Sequence, residues 1–229
     1  MRRRSVTSVI TVGAAAAYLL AVRPWQLRCG ATGEERAATL AGDDLIANPD
    51  LLATRAITVH AAADQVWPWI AQLGQSRGGF YSYDFLENLA GLDIHSVDRV
   101  VPELQHLAVG DHVPLAPGQK SMVVAELEPE RALVLRVADP MTGLALETSP
   151  GGPGFAGSWA FVVRPHGQGR TRLVHRFRFG ARRRALGAVV YALLVEVPHF
   201  VMEWRMLRGI KARAEARLSD RTDRQPAGP

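Results

Sequence analysis

The chain of 229 residues contains a single cysteine, Cys29. That excludes an internal disulfide and any zinc site built from several thiolates. Arg28 stands directly before it, which argues against a lipid-attachment signal. Aromatic residues make up only 7% of the chain, and few interleave with the arginines. With no recognised nucleic-acid motif either, no nucleic-acid partner is expected. Gly78 and Gly79 are not followed by a Lys-Ser or Lys-Thr pair, so no nucleotide-binding loop is indicated. His95, Glu103 and His106 fit no metal spacing. Glu196 and His199 form one Glu-x-x-His unit, half of a di-iron carboxylate set, and no second copy falls on another predicted helix. No metal and no cofactor are therefore expected. Long apolar runs are also scarce, which excludes a polytopic membrane protein.

What remains is a near-average globular composition, 48% hydrophobic and 21% charged, with a net charge of +5. The charge is unevenly spread. Residues 1–29 carry five arginines and no acid, residues 30–163 carry seven basic and 17 acidic residues, and residues 164–217 carry 13 basic and three acidic ones. A basic C-terminal third attracts anionic surfaces or the chain's own acidic middle. Arg2-Arg3-Arg4 precede the one long uncharged run, residues 6–22. As a helix it is about 26 Å long, at the short end of the spanning range. No small-residue cleavage pattern closes it. Residues 1–23 are thus expected to be an N-terminal transmembrane helix, a single-pass anchor in the cell membrane. Residues 24–53 read as a linker with a short helix, 54–218 as the globular domain, and 219–229 as a disordered tail.

Within the domain, Arg55 to His60 alternates as a strand. Asp64 opens a helix running to Leu73, and Ser82 is placed to cap a second one, Tyr83 to Ala90, closed by Gly91. Met122 to Leu127 and Ala132 to Val137 form a hairpin around Pro129-Glu130-Arg131, and Ser158 to Arg164 is a further strand. From Arg170 to Phe179 the alternation is clear. Thr171, Leu173, His175, Phe177 and Phe179 share one face, while Arg170, Arg172, Arg176 and Arg178 make a basic ribbon on the other. The C-terminal region is helical from about Ala185, with Pro198 kinking it or opening a new helix. Met202, Met206, Ile210 and Ala214 then fall on one stripe.

Three stretches carry a family resemblance: Val66 to Asp111 (VWPWIAQLGQSRGGFYSYDFLENLAGLDIHSVDRVVPELQHLAVGD), Ser158 to Arg178 (SWAFVVRPHGQGRTRLVHRFR) and His199 to Glu215 (HFVMEWRMLRGIKARAE). They resemble bacterial members of the SRPBCC superfamily, the START-like, polyketide cyclase/dehydrase and lipid-transport proteins. The resemblance implies an α+β helix-grip fold, a curved antiparallel sheet wrapped around a long C-terminal helix, with a hydrophobic cavity between them. It does not select one chemistry.

The residues expected to line that cavity are Trp159, Phe161, His175, Phe177, Met202 and Met206, with Tyr81 and Tyr83 near its mouth. His199 and Glu203 share a helical face with Glu196 and supply polar groups there. The first functional reading is a membrane-tethered protein that binds an apolar small molecule, such as a lipid, sterol or polyketide. The alternative is a cyclase- or dehydratase-type enzyme with His175, His199 or Glu203 as general acid and base. A third is a structural membrane protein with a filled interior. Arg182-Arg183-Arg184 before the apolar run 185–195 suggests a second membrane contact, over residues 182–195.

Overall fold

The computed structural model describes residues 17–139, 141–146, 155–181 and 196–223. Most of the expected anchor over residues 6–22, the apolar run 182–195 and the chain beyond residue 223 lie outside the described residues. No described helix is long and apolar enough to cross a membrane.

A helical turn, Tyr18–Val22, runs into α1 (Arg23–Gln26), followed by α2 (Gly33–Ala37). The domain then proceeds through β1 (Leu51–Val59), α3 (Ala63–Ala71), α4 (Asp84–Leu89), β2 (His112–Val113), β3 (Met122–Glu128), β4 (Ala132–Val137), β5 (Phe155–Pro165), β6 (Thr171–Ala181) and α5 (Glu196–Asp223). The six strands form one antiparallel sheet in the order β1-β6-β5-β4-β3-β2. A bulge between Val124 and Glu126 interrupts the β3–β4 ladder, a device that sharpens local twist. The long helix α5 and α3 pack on one sheet face, around Trp69, Ile70, Leu73, Phe161, Leu173, Leu207 and Ile210. This is the helix-grip α+β arrangement.

The alternation of β6 follows the expected faces. Leu173, His175 and Phe177 are buried beneath α5. The arginine ribbon, however, is covered by the chain's own N-terminal segment. Arg172 donates to Glu35 (2.6 and 2.9 Å), Arg176 to Asp43 (2.6 Å) and Arg178 to the same carboxylate (2.8 Å). Backbone carbonyls of Ala38, Glu35, Arg36 and Ile46 accept the remaining guanidinium hydrogens. Glu35 is held below the ordinary carboxylate range, chiefly by its hydrogen bond to Arg172. For these three arginines the anionic partner is internal. Leu27 and Cys29 extend the same cover along β1, accepting from Thr54 (2.8 Å) and Ala56 (3.2 Å) and so blunting an edge strand. The stretch expected to be a linker is thus largely a packed layer, and β1 begins within it, at Leu51.

One local expectation changes. Tyr83, not Ser82, precedes α4, without a side-chain cap, and Ser82 Oγ donates instead to the Met202 carbonyl (3.2 Å). The stretch Arg77 to Tyr81 is pinned. Arg77 donates to the carbonyls of Leu73, Ala71 and Leu104, and Gly74 and Gly79 bond each other in both directions.

Candidate functional site

Between the first described turns of α5 and the sheet lies a partly open pocket of about 230 Å³. The helix contributes His199, Met202, Glu203 and Met206, and β5 contributes Trp159. The opposite wall comes from the loop before α4 (Phe80, Ser82), from α4 and its exit (Glu87, Leu92, Ile94), and from Leu115. The wall is almost entirely apolar apart from Ser82, Glu87, His199 and Glu203. A dry cavity of roughly 150 Å³ accommodates benzene, which sets the scale: one ring with a small substituent. A shallower hollow of about 310 Å³ lies outside β1, bounded by Pro24, Leu27, Arg28, Arg36, Leu52 and Thr54.

The hydrophobic cavity expected between sheet and helix is narrowed by the protein's own core side chains. Of the expected lining residues, Trp159, Met202 and Met206 border the pocket, together with His199 and Glu203. Phe161, His175 and Phe177 lie one layer behind it. Phe161 is fully buried with its ring centroid 4.7 Å from that of His175. Phe177 packs with Leu51 and Ala53, its ring 4.5 Å from His199. Tyr81 is a core residue. It adopts a left-handed φ of 55°, accepts a hydrogen bond from Gln72 at its hydroxyl (2.8 Å), and stacks edge-on against Trp69. The close approach of α5 to Tyr81 requires Gly209, where a Cβ would stand 2.2 Å from the Tyr81 carbonyl oxygen. Tyr83 is 42% exposed and packs under Arg205.

Behind the pocket sits a buried ionic cluster. The register of the sheet pairs Arg55 on β1 with His175 on β6, and His175 with Phe161 on β5. Glu203 projects onto this row from α5. Arg55 Nη1 bonds Glu203 Oε2, while Arg55 Nε donates to the Gln26 carbonyl (2.9 Å). Glu203 Oε1 stands 3.5 Å from His175 Nδ1 and 3.5 Å from His199 Nε2, without a hydrogen bond to either. Burial alone would raise the Glu203 carboxyl, but His199, Arg55 and His175 together hold it below the usual range. Burial pushes His175 down to about 4, against the attraction of Glu203, and lowers His199 for the same reason. The cluster at neutral pH is therefore an ionised carboxylate paired to a guanidinium, flanked by two neutral imidazoles. Glu196, the third member of the helical face, turns elsewhere. It accepts from Arg23 (3.1 and 3.2 Å) and Gln26 (2.7 Å), fastening α1 to α5.

Sequence reasoning missed Arg55, Glu87, Phe80 and the residues after α4. Glu87 is the most informative. It is buried, and its Oε2 has no hydrogen-bond partner among the described residues. Desolvation, with Asp84 adding to it, pushes its carboxyl up to about 7. Meanwhile Phe85, Leu86 and Leu89 of the same helix are exposed. The signal was this inverted helix, with its acid inside and apolar residues outside. Sequence reasoning also missed a second motif. Gly74-Gln75-Ser76-Arg77-Gly78 has the G-x-S-x-G spacing of a hydrolase nucleophile turn, and Ser76 has φ 56°. That motif requires a strand before the serine. Here a helix precedes it, and the serine hydroxyl donates to Gln75 Oε1 (2.7 Å). It does not form a nucleophile elbow. Among the described residues no cluster of three potential metal ligands occurs.

No family model matches the chain, and no curated protein matches it. Solved structures resemble it at low identity. A hypothetical protein of Helicobacter pylori aligns at 11% identity over 78% of this chain and 96% of that one, with a TM-score of 0.42. A protein of Arthrobacter aurescens aligns at 12% over 72% and 86%, with a TM-score of 0.41. Norcoclaurine synthase of Thalictrum flavum aligns at 13% over 69% and 84%, with a TM-score of 0.36. At such scores these likenesses carry no inference about chemistry. The fold assignment rests on the sheet order and the helix that the sheet cradles.

Proposed function

We propose that this chain is a membrane-tethered member of the SRPBCC superfamily that binds one small, largely apolar molecule between α5, α4 and the sheet. The observation that carries this reading is the pocket of about 230 Å³, apolar except for Ser82, Glu87, His199 and Glu203. Apolar walls supply affinity at about 25 cal/mol per Å² removed from water, and a few polar groups orient the guest. The volume favours a single-ring or short-chain body, as of a small polyketide fragment, over a sterol or a two-chain lipid. The test is native mass spectrometry of gently purified protein. An adduct of one small molecule, absent from a Met202→Trp variant that fills the space, is expected. Bare protein, with no guest taken up from a panel of small apolar compounds, would defeat the reading.

The tether rests on the sequence of residues 6–22 and on exposed apolar residues of the described part. Leu19, Leu20, Val22 and Trp25 are exposed, and so are Val197 and Val201, next to Phe200, whose ring packs against that of Trp25. These apolar residues gather at the end of α5 that holds the pocket and to which the apolar run 182–195 connects in sequence. Fractionation of cells carrying a C-terminal tag should find the protein with membranes; recovery in the soluble fraction would contradict it.

One feature favours a second reading, acid–base catalysis. His199 is neutral and borders the pocket beside an ionised Glu203. His175, held behind the wall, would position rather than react. An acid–base enzyme should lose about 10²–10⁴-fold in rate on His199→Gln. A binding protein should lose only modest affinity.

A further inference from the structure

From the pocket's charge and lining we infer that its guest carries an ammonium group, which pairs with Glu87. The inference rests on the ligand-binding reading above and names the class of molecule. A buried carboxyl without a hydrogen-bond partner is costly, and each such group in a native structure calls for an explanation. Glu87 stands in the pocket wall, and its Oε2 is buried and unpartnered among the described residues. Among the described residues no cation pairs with it. The other carboxylate of the wall, Glu203, is already paired with Arg55. The neighbouring Asp84 is acidic too, and its oxygens are engaged by Ser96. Burial disfavours the charged form of both histidines near the pocket. The pocket therefore holds one carboxyl whose charge, once ionised, no described residue compensates.

The rest of the lining suits a cation on a compact apolar body. Phe80 and Trp159 meet edge to face, with ring centroids 6.3 Å apart, in the same wall. Aromatic faces attract ammonium groups as well as rings. Met202 and Met206 supply an adaptable apolar side. The volume matches a single ring bearing a short amine arm.

Three probes of one size test this: toluene, benzyl alcohol and benzylamine. Each is titrated by calorimetry or NMR into the wild type and into Glu87→Gln at about pH 8, where the carboxyl is ionised and the amine protonated. The wild type should bind all three, with benzylamine about 10-fold or more tighter than the neutral pair, as a charge-assisted bond requires. Glu87→Gln should keep toluene binding, which reports an intact pocket, and lose the preference for the amine. Equal binding of benzylamine and benzyl alcohol, or an amine preference that survives the substitution, would overturn the inference while leaving the pocket reading in place. Failure of all three probes to bind the wild type would overturn both.

Discussion

From Leu207 to Ala214, α5 lies on a closed core; from His199 to Met206, the same helix borders a pocket and a buried ionic cluster. In the first stretch Leu207, Ile210 and Ala214 have no exposed surface and pack with residues such as Trp69, Ile70, Leu73 and Tyr81. In the second, Glu203 Oε1, both nitrogens of His175 and Glu87 Oε2 are buried without hydrogen bonds among the described residues. One half leaves a single such atom, Trp69 Nε1, in an otherwise apolar interior. The other leaves polar groups unsatisfied around an open space, an arrangement that opposes stability and is found where a site needs it. The difference assigns the closed half to holding the fold and the polar half to function.

Variants sharpen that contrast. The largest effect is expected at the joint between the halves. Arg55→Ala strands Glu203 as an uncompensated buried charge and should destabilise the protein by about 3–5 kcal/mol in denaturant unfolding. In the closed half, Leu207→Ala should lower stability by about 2–5 kcal/mol through cavity formation. A loss under about 1 kcal/mol there would show that the core is not closed.

The pH dependence of stability separates two groups in the polar half. Glu87, at about 7 in the folded state against about 4.3 unfolded, takes up its proton first when folded. Its contribution therefore weakens the fold as pH rises from about 4.3 to 7. His175, at about 4 folded against about 6.5 unfolded, does the opposite, weakening the fold as pH falls from about 6.5 to 4. In the wild type these trends oppose each other. Urea midpoints across this window should fall more steeply with acid in Glu87→Gln and less steeply in His175→Leu, by on the order of 1–3 kcal/mol at the extremes. The smallest effect belongs to Met202→Ala, which enlarges an existing hollow beside a partly exposed residue and should cost about 1 kcal/mol or less.

Much of this fold was legible in the order of residues. The strict alternation of β6 fixed both of its faces, and the stripe through Met206, Ile210 and Ala214 fixed the buried side of α5, because period two and period 3.6 each follow from backbone geometry. Half of the pocket was legible for the same reason, since Met202, Met206, His199 and Glu203 share that helix. The rest depended on pairing across the chain. Arg55 becomes part of the cluster only through its register with His175, over a hundred residues away. The arginine ribbon reads as exposed until Glu35 and Asp43 are known to lie over it. Phe161 and Phe177 point inward as their alternation says, but alternation cannot tell a cavity wall from the layer behind it. Glu87 was hidden because a charged residue on a short helix is ordinarily turned to solvent.

The claim on which the rest stands is that outside molecules enter the space beside Trp159, Met202 and Met206. Crystals pressurised with xenon test it directly, since xenon occupies dry apolar cavities. Xenon density bounded by these three side chains is the predicted result. Density confined to other places, with this space closed by the protein's own side chains, would contradict it.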